Sequence, residues 1–124
     1  MVDGKKKVES FEDLIVWQES QTFAVDVYNI TKLFPADEIF AITNQLRRAA
    51  SSISANIAEG FGRSSVKDKT LFYVIAYGSL LEVKNFLYLA HKLGYIEKDK
   101  LDILIDSSVR CQKLINASKR SLKS

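Results

Sequence analysis

Arg48, Asn56, Glu59, Arg63 and Glu82 are the residues of this chain whose types and spacing could do chemistry together. Two carboxylates brought face to face could share a proton for acid–base work or hold a cation. A guanidinium fork set against one of them makes instead a paired, inert cluster. Glu59 and Arg63 stand four apart, the spacing at which helical neighbours pair directly. Glu82 falls on a stripe with Leu71, Ile75 and Gly78, where an unpaired carboxylate would be costly, so an arginine from the preceding segment is its expected partner. Structural pairing inside a buried polar cluster is therefore the first expectation for these residues. Ligand recognition is the second, and catalysis or metal binding the third. The chain lacks the Glu-x-x-His pairs of di-iron bundles, and its single histidine, His91, lies near the end of its segment. No catalytic residue, metal ligand or cofactor is assigned.

A second set could meet nucleic acid. Tyr73, Tyr77, Lys84, Tyr88, His91 and Tyr95 share one side of a helix at about 100° per residue. Interleaved rings and cations can stack bases and hold phosphate. The commoner arrangement has tyrosines burying their rings at a seam or subunit contact, with hydroxyls reaching water. Towards the end of the chain Arg110, Lys113, Lys119, Arg120 and Lys123 occur with no acid in the last fifteen residues. Such a tail can meet RNA or another acidic surface, although cations also favour a helix C-terminus. Lys5, Lys6 and Lys7 form a smaller basic cluster that also serves solubility. Other marks are weaker. Gly60-Phe61-Gly62 follows a helix rather than a strand, which argues against a dinucleotide loop. Ser79 has no histidine placed to activate it, and Gly78-Ser79 suits close helix packing. Cys111 and Trp17 read as core residues.

The elements that must position these groups are helical throughout. Leu14, Trp17, Gln21, Ala24, Tyr28 and Thr31 recur at helical spacing, with Phe23, Val27, Ile30 and Phe34 widening the stripe. Ser10 and Asp13 resemble a capping pair, and Phe34-Pro35 ends the segment, predicting a first helix over 13–34. A second is predicted over 37–61, with Ile39, Ile42, Leu46, Ala50, Ile53 and Ile57 on one face. Its other face, Gln45, Arg48, Ser52, Asn56, Glu59 and Arg63, is polar but poor in charge. That composition suggests close approach by another surface. A third helix opens at Ser65 and stops at Gly94; a fourth covers 98–122 with Leu101, Leu104, Ile105, Ser108, Val109 and Ile115 inward. Helices of 22 or more residues and short connections predict an all-α, antiparallel up-down-up-down four-helix bundle.

At 124 residues, 47% hydrophobic and 27% charged, the chain reads as one globular domain over 11–124 behind a flexible basic N-terminus, 1–10. It lacks an apolar run of the roughly 20 residues that span a bilayer, and the N-terminal lysines are not followed by the apolar stretch of a signal peptide. A net charge of +3 and one cysteine fit a cytoplasmic protein with no membrane contact. The third helix is apolar on too many sides. Leu71, Ile75, Gly78, Leu89 and Leu93 make one stripe, while Phe72, Ala76, Leu80, Val83, Phe86, Leu87 and Ala90 spread over another. A lone bundle leaves each helix a wet side, so a homo-oligomer with closed symmetry is expected.

The segments FEDLIVWQES, FPADEIFAITNQLRRAASSISANIAEGFGRSS and IAYGSLLEVKNFLYLAHKLGYI resemble the bacterial four-helix-bundle family named for the 23S rRNA intervening sequence. The specific stretches are Gln45-Leu46-Arg47-Arg48, Ala55-Asn56-Ile57-Ala58-Glu59-Gly60, and Gly78-Ser79-Leu80 with Glu82; Ser54 stands where the family often has proline. The family is similar to the accessory protein of diversity-generating retroelements, a basic pentameric barrel that binds a reverse transcriptase and nucleic acid. The resemblance implies a homopentamer without enzymatic activity and with an RNA or nucleoprotein partner. A protein-interaction adaptor with no nucleic-acid contact is the alternative. Tyr73, Tyr77, Lys84, Tyr88, Arg110, Lys113, Lys119 and Arg120 are the candidate nucleic-acid contacts.

Overall fold

Where each helix begins follows from which group satisfies its first amides. Ser65 does this for α3 (Val66–Lys92): its hydroxyl accepts the Asp68 N–H at 3.0 Å. Gly94 closes the same helix at φ +84°, where its N–H reaches the His91 carbonyl and the Tyr95 N–H reaches the Ala90 carbonyl, each at 2.9 Å. A Cβ is disfavoured in that conformation, so Gly94→Ala should cost about 1 kcal/mol. A lower urea midpoint at unchanged slope would register it. The computed structural model describes residues 7–122, so Lys5, Lys6 and Lys123, and most of the N-terminal segment expected to be flexible, lie outside the described residues.

The first two helices are shorter than the sequence predicts, at 17 and 20 residues, against 27 for α3 and 23 for α4 (Lys98–Arg120). The Asp13 carboxylate accepts the Glu9 and Ser10 N–H groups at 3.0 and 3.2 Å, but this closes a 3-10 turn over Phe11–Asp13. Leu14 is then extended (φ −78°, ψ 124°), and α1 runs Ile15–Thr31. Its last turn tightens into three-residue steps before Pro35. The next segment is also a 3-10 turn, Ala36–Glu38. Ala41 (φ −121°, ψ −112°) breaks the chain before α2 (Ile42–Phe61), which lacks a side-chain cap. The acids of 37–38 therefore do not sit in the first turn of α2. Glu38 instead accepts the Tyr95 hydroxyl at 2.5 Å, a contact with a residue 57 positions away.

α1 packs on α2 and α4, and α3 packs on the same two, an arrangement consistent with a four-helix bundle; the described residues contain no strand. The core holds Phe23, Val27, Leu46, Ile53, Ile57, Leu80, Val83, Leu87 and Ile115, all essentially out of water. Side-chain pairs locate the helices against one another: Gln21 with Ser54 and Thr31 with Arg47 between α1 and α2; Ser52 with Ser79 and Arg48 with Glu82 between α2 and α3. α2 and α3 approach closely at Gly60, where an added Cβ would stand 2.6 Å from Phe72 Cβ. Close helix packing thus falls at Gly60; around Gly78 an added Cβ would meet nothing within 4 Å. Two expected inward residues of α1, Gln21 and Tyr28, are exposed, and so is Ile39 ahead of α2. The buried face of α1 centres on Phe23, Val27 and Ile30, because it must meet both α2 and α4.

Candidate functional site

The outer seam of α2 and α3 carries the polar residues singled out from the sequence. Arg48 donates through Nη2 to Gln45 Oε1 at 3.0 Å and Glu82 Oε2 at 3.1 Å. One turn on, the Ser52 and Ser79 hydroxyls lie 2.9 Å apart, and Asn56 Nδ2 donates to Ser52 O and Oγ at 2.8 and 3.0 Å. Arg63 Nη2 then pairs with Glu59 Oε2 at 2.7 Å, its guanidinium 4.7 Å from the centre of the Phe72 ring. Glu59 and Glu82 do not face each other; each carboxylate is held by its own arginine. The expectation of a buried cluster is overturned, because the Arg48 and Glu82 side chains are 58% and 39% exposed and the Glu59–Arg63 pair is equally open. The seam turns away from the core, so these pairs stay in water and are worth about 0–1 kcal/mol each. Among the described residues no group of His, Cys, Asp and Glu is arranged to hold a metal ion.

Beside this ladder runs an open apolar stripe. Leu71, Val74, Ile75, Leu81, Tyr88 and Leu89 of α3, with Leu93 just past its end, are each 41–53% exposed, and Gly78 lies midway. The sequence pattern picks out Leu71, Ile75, Leu89 and Leu93. Val74 and Leu81 sit one step to the side, and only the packing of the opposite face shows them to be open. Stripes of this length seldom face water in a monomer.

The structure does not assemble the tyrosine row into a stacking surface. Tyr73 is half-buried near Ser118 of α4, and burial raises its pKa. His91 Nδ1 is 2.8 Å from the Ile96 carbonyl, while Tyr95 packs against Phe34 at 5.5 Å and is tied to Glu38. Tyr77 and Lys84 are partly buried, which leaves Tyr88 as the exposed ring among the four expected contacts. Of the basic tail, Arg110 Nε lies 3.3 Å from Glu19 Oε1; Lys113 and Arg120 are exposed, and Lys119 is half-buried. Asp99, Asp102 and Asp106 expose acids on the first half of the same helix, so α4 is acidic at its start and basic at its end.

Cys111 is 2% exposed, and its thiol donates to the Glu19 carbonyl at 3.7 Å. Burial, with Glu19 nearby, pushes its pKa up from 9.0 to about 11. The folded thiol therefore keeps its proton where the unfolded one loses it. The resulting stability is complete below pH 9 and fades as pH climbs towards 11. Urea titrations at rising pH should show a loss of roughly 1–2 kcal/mol, and Cys111→Ala should flatten that slope.

Four helices enclosing an apolar core, with polar pairs and an apolar stripe left outside, define an all-α protein. The chain belongs to the 23S rRNA-intervening sequence protein family, whose profile matches residues 12–117. A solved structure from Bacteroides thetaiotaomicron VPI-5482, described as a protein of unknown function from the S23 ribosomal protein family, is 27% identical with a TM-score of 0.79. The match covers 86% of this chain and 100% of that one. No curated protein matches. No helix among the described residues is long and apolar enough to cross a membrane.

Proposed function

We propose that this chain is a non-enzymatic scaffold: an antiparallel up-down-up-down bundle that assembles with copies of itself and presents a basic surface to RNA or a nucleoprotein partner. The observation that carries the reading is the α3 stripe, since a second copy of the chain is the occupant always at hand for it. The antiparallel sense is supported by the Gly60–Phe72, Ser52–Ser79 and Arg48–Glu82 contacts, whose numbers fall on α2 as they rise on α3. A pentamer is the state that the family resemblance suggests. The assembly is cytoplasmic in this reading, and each copy adds the exposed Lys113 and Arg120 to a repeated basic surface.

Salt-sensitive binding of structured RNA tests it. Neutralising Arg110, Lys113, Lys119 and Arg120 together should weaken a gel shift and flatten its salt dependence by about one unit of log–log slope per lost contact. Absence of any shift at low salt removes the RNA reading. The partly buried Tyr73, Tyr77 and Tyr95 favour a second reading, a protein-interaction adaptor, because they leave few rings for bases. Partners retained after nuclease treatment would support the adaptor; partners lost would support RNA.

A further inference from the structure

Arg47 is the partly buried arginine of the described chain, and unlike Arg48, Arg63 and Arg110 it meets no carboxylate. Its Nε donates to Thr31 Oγ1 at 2.9 Å, and the Thr31 hydroxyl donates on to the Tyr28 carbonyl at 2.9 Å. Its guanidinium carbon lies 5.0 Å from the centre of the Tyr28 ring. The fork is thus held by one edge and one face, while both Nη groups lack an acceptor in the described protein. Arg47 lines a cleft of about 340 Å³ with Lys32, Phe34, Pro35, Ile39 and Thr43. Thr43 is an independent sign. Only 2% exposed, it lines the same cleft, and its hydroxyl makes no hydrogen bond to a described residue. Unlike Ser20 Oγ, which is sealed from water without a partner, the Thr43 oxygen stays within reach of solvent and so of a ligand. The cleft also lies at the start of α2, where Ala41 supplies no capping acceptor and the first amides stay open. Asp37 and Glu38 are the opposing charges on the neighbouring turn, and Glu38 is engaged by Tyr95.

We infer that this cleft binds a phosphate ester. The Arg47 fork grips two phosphate oxygens, Thr43 takes a third, and Phe34, Pro35 and Ile39 wall the organic part. A guanidinium fork, a hydroxyl and an open helix start together suit a tetrahedral oxyanion. A carboxylate offers no third oxygen for Thr43. The inference stands apart from the basic tail and from assembly.

Calorimetric titration of the full chain with a nucleoside monophosphate, inorganic phosphate, a short RNA and acetate tests it. The phosphate-bearing probes should bind and acetate should not. Thr43→Val and Arg47→Gln should each weaken binding by about tenfold or more. Thr43→Val keeps the shape of the side chain and decides the matter if Arg47→Gln does not fold. Binding by the monophosphate alone would identify a free ester as the occupant; Thr43-dependent binding by RNA would identify a backbone phosphate. No heat with any phosphate probe, equal binding of acetate, or unchanged affinity in Thr43→Val overturns the site. RNA binding that survives Thr43→Val but is lost on neutralising the tail overturns the cleft and leaves the scaffold reading standing.

Discussion

A chain carrying Ile75→Lys and Leu89→Lys should sediment as a folded single subunit near 14.0 kDa, where the unaltered chain should, under the proposed assembly, sediment as a larger closed species. Both residues are more than 40% exposed in the protomer, so the new ammonium groups remain in water and the protomer should lose little stability, about 0.5 kcal/mol or less per site. In an assembly the same groups would enter an apolar contact without partners, at several kcal/mol each. The two numbers differ enough to separate the outcomes cleanly. Gly78 gives a finer version of the test. Its added Cβ meets open space in the protomer, so Gly78→Ala should strengthen α3 by about 0.5–1 kcal/mol, whereas a tryptophan there should block close approach by a second copy. Sedimentation of the unaltered chain as a dilute, well-folded monomer would refute the assembly.

Gly60→Ala should destabilise the protomer itself by about 1–3 kcal/mol. The new methyl would arrive 2.6 Å from Phe72 Cβ, far inside contact distance, so α2 and α3 must move apart there. The opposing atom is a Cβ rather than the end of a flexible side chain, so rotamer change cannot relieve it. For the same reason Phe72→Ala, which retains that Cβ, should not rescue Gly60→Ala, although it removes the ring. Denaturant unfolding of the two single variants and the double variant measures this directly. A neutral Gly60→Ala would mean that the crossing is looser than described.

Much of the fold was legible along the chain because capping, turn formation and amphipathic spacing are local. Ser65 and Gly94 mark the ends of α3 to within a residue, and Ile42, Leu46, Ala50, Ile53 and Ile57 are all buried as their spacing requires. The starts of α1 and α2 were not legible. Asp13 caps a 3-10 turn instead of a helix, and Glu38 is drawn off to Tyr95 by a contact that no local pattern encodes. The polar cluster was legible in membership but not in burial. Arg48 does reach Glu82, yet whether that seam faces the core or water depends on how the helices are rotated in the bundle.

By itself, then, the sequence determined the number of helices, their principal faces and the surplus of apolar surface on α3, since each follows from residue type and a period of about 3.6. Tertiary structure alone decided which apolar stripe stays outside, that Tyr73, Tyr77 and Tyr95 are partly buried, and that Arg47, next to Arg48 in the chain, borders a cleft with Thr43. Adjacent residues on a helix point about 100° apart, so what each one meets is settled by the neighbouring helices and not by the chain on either side of it.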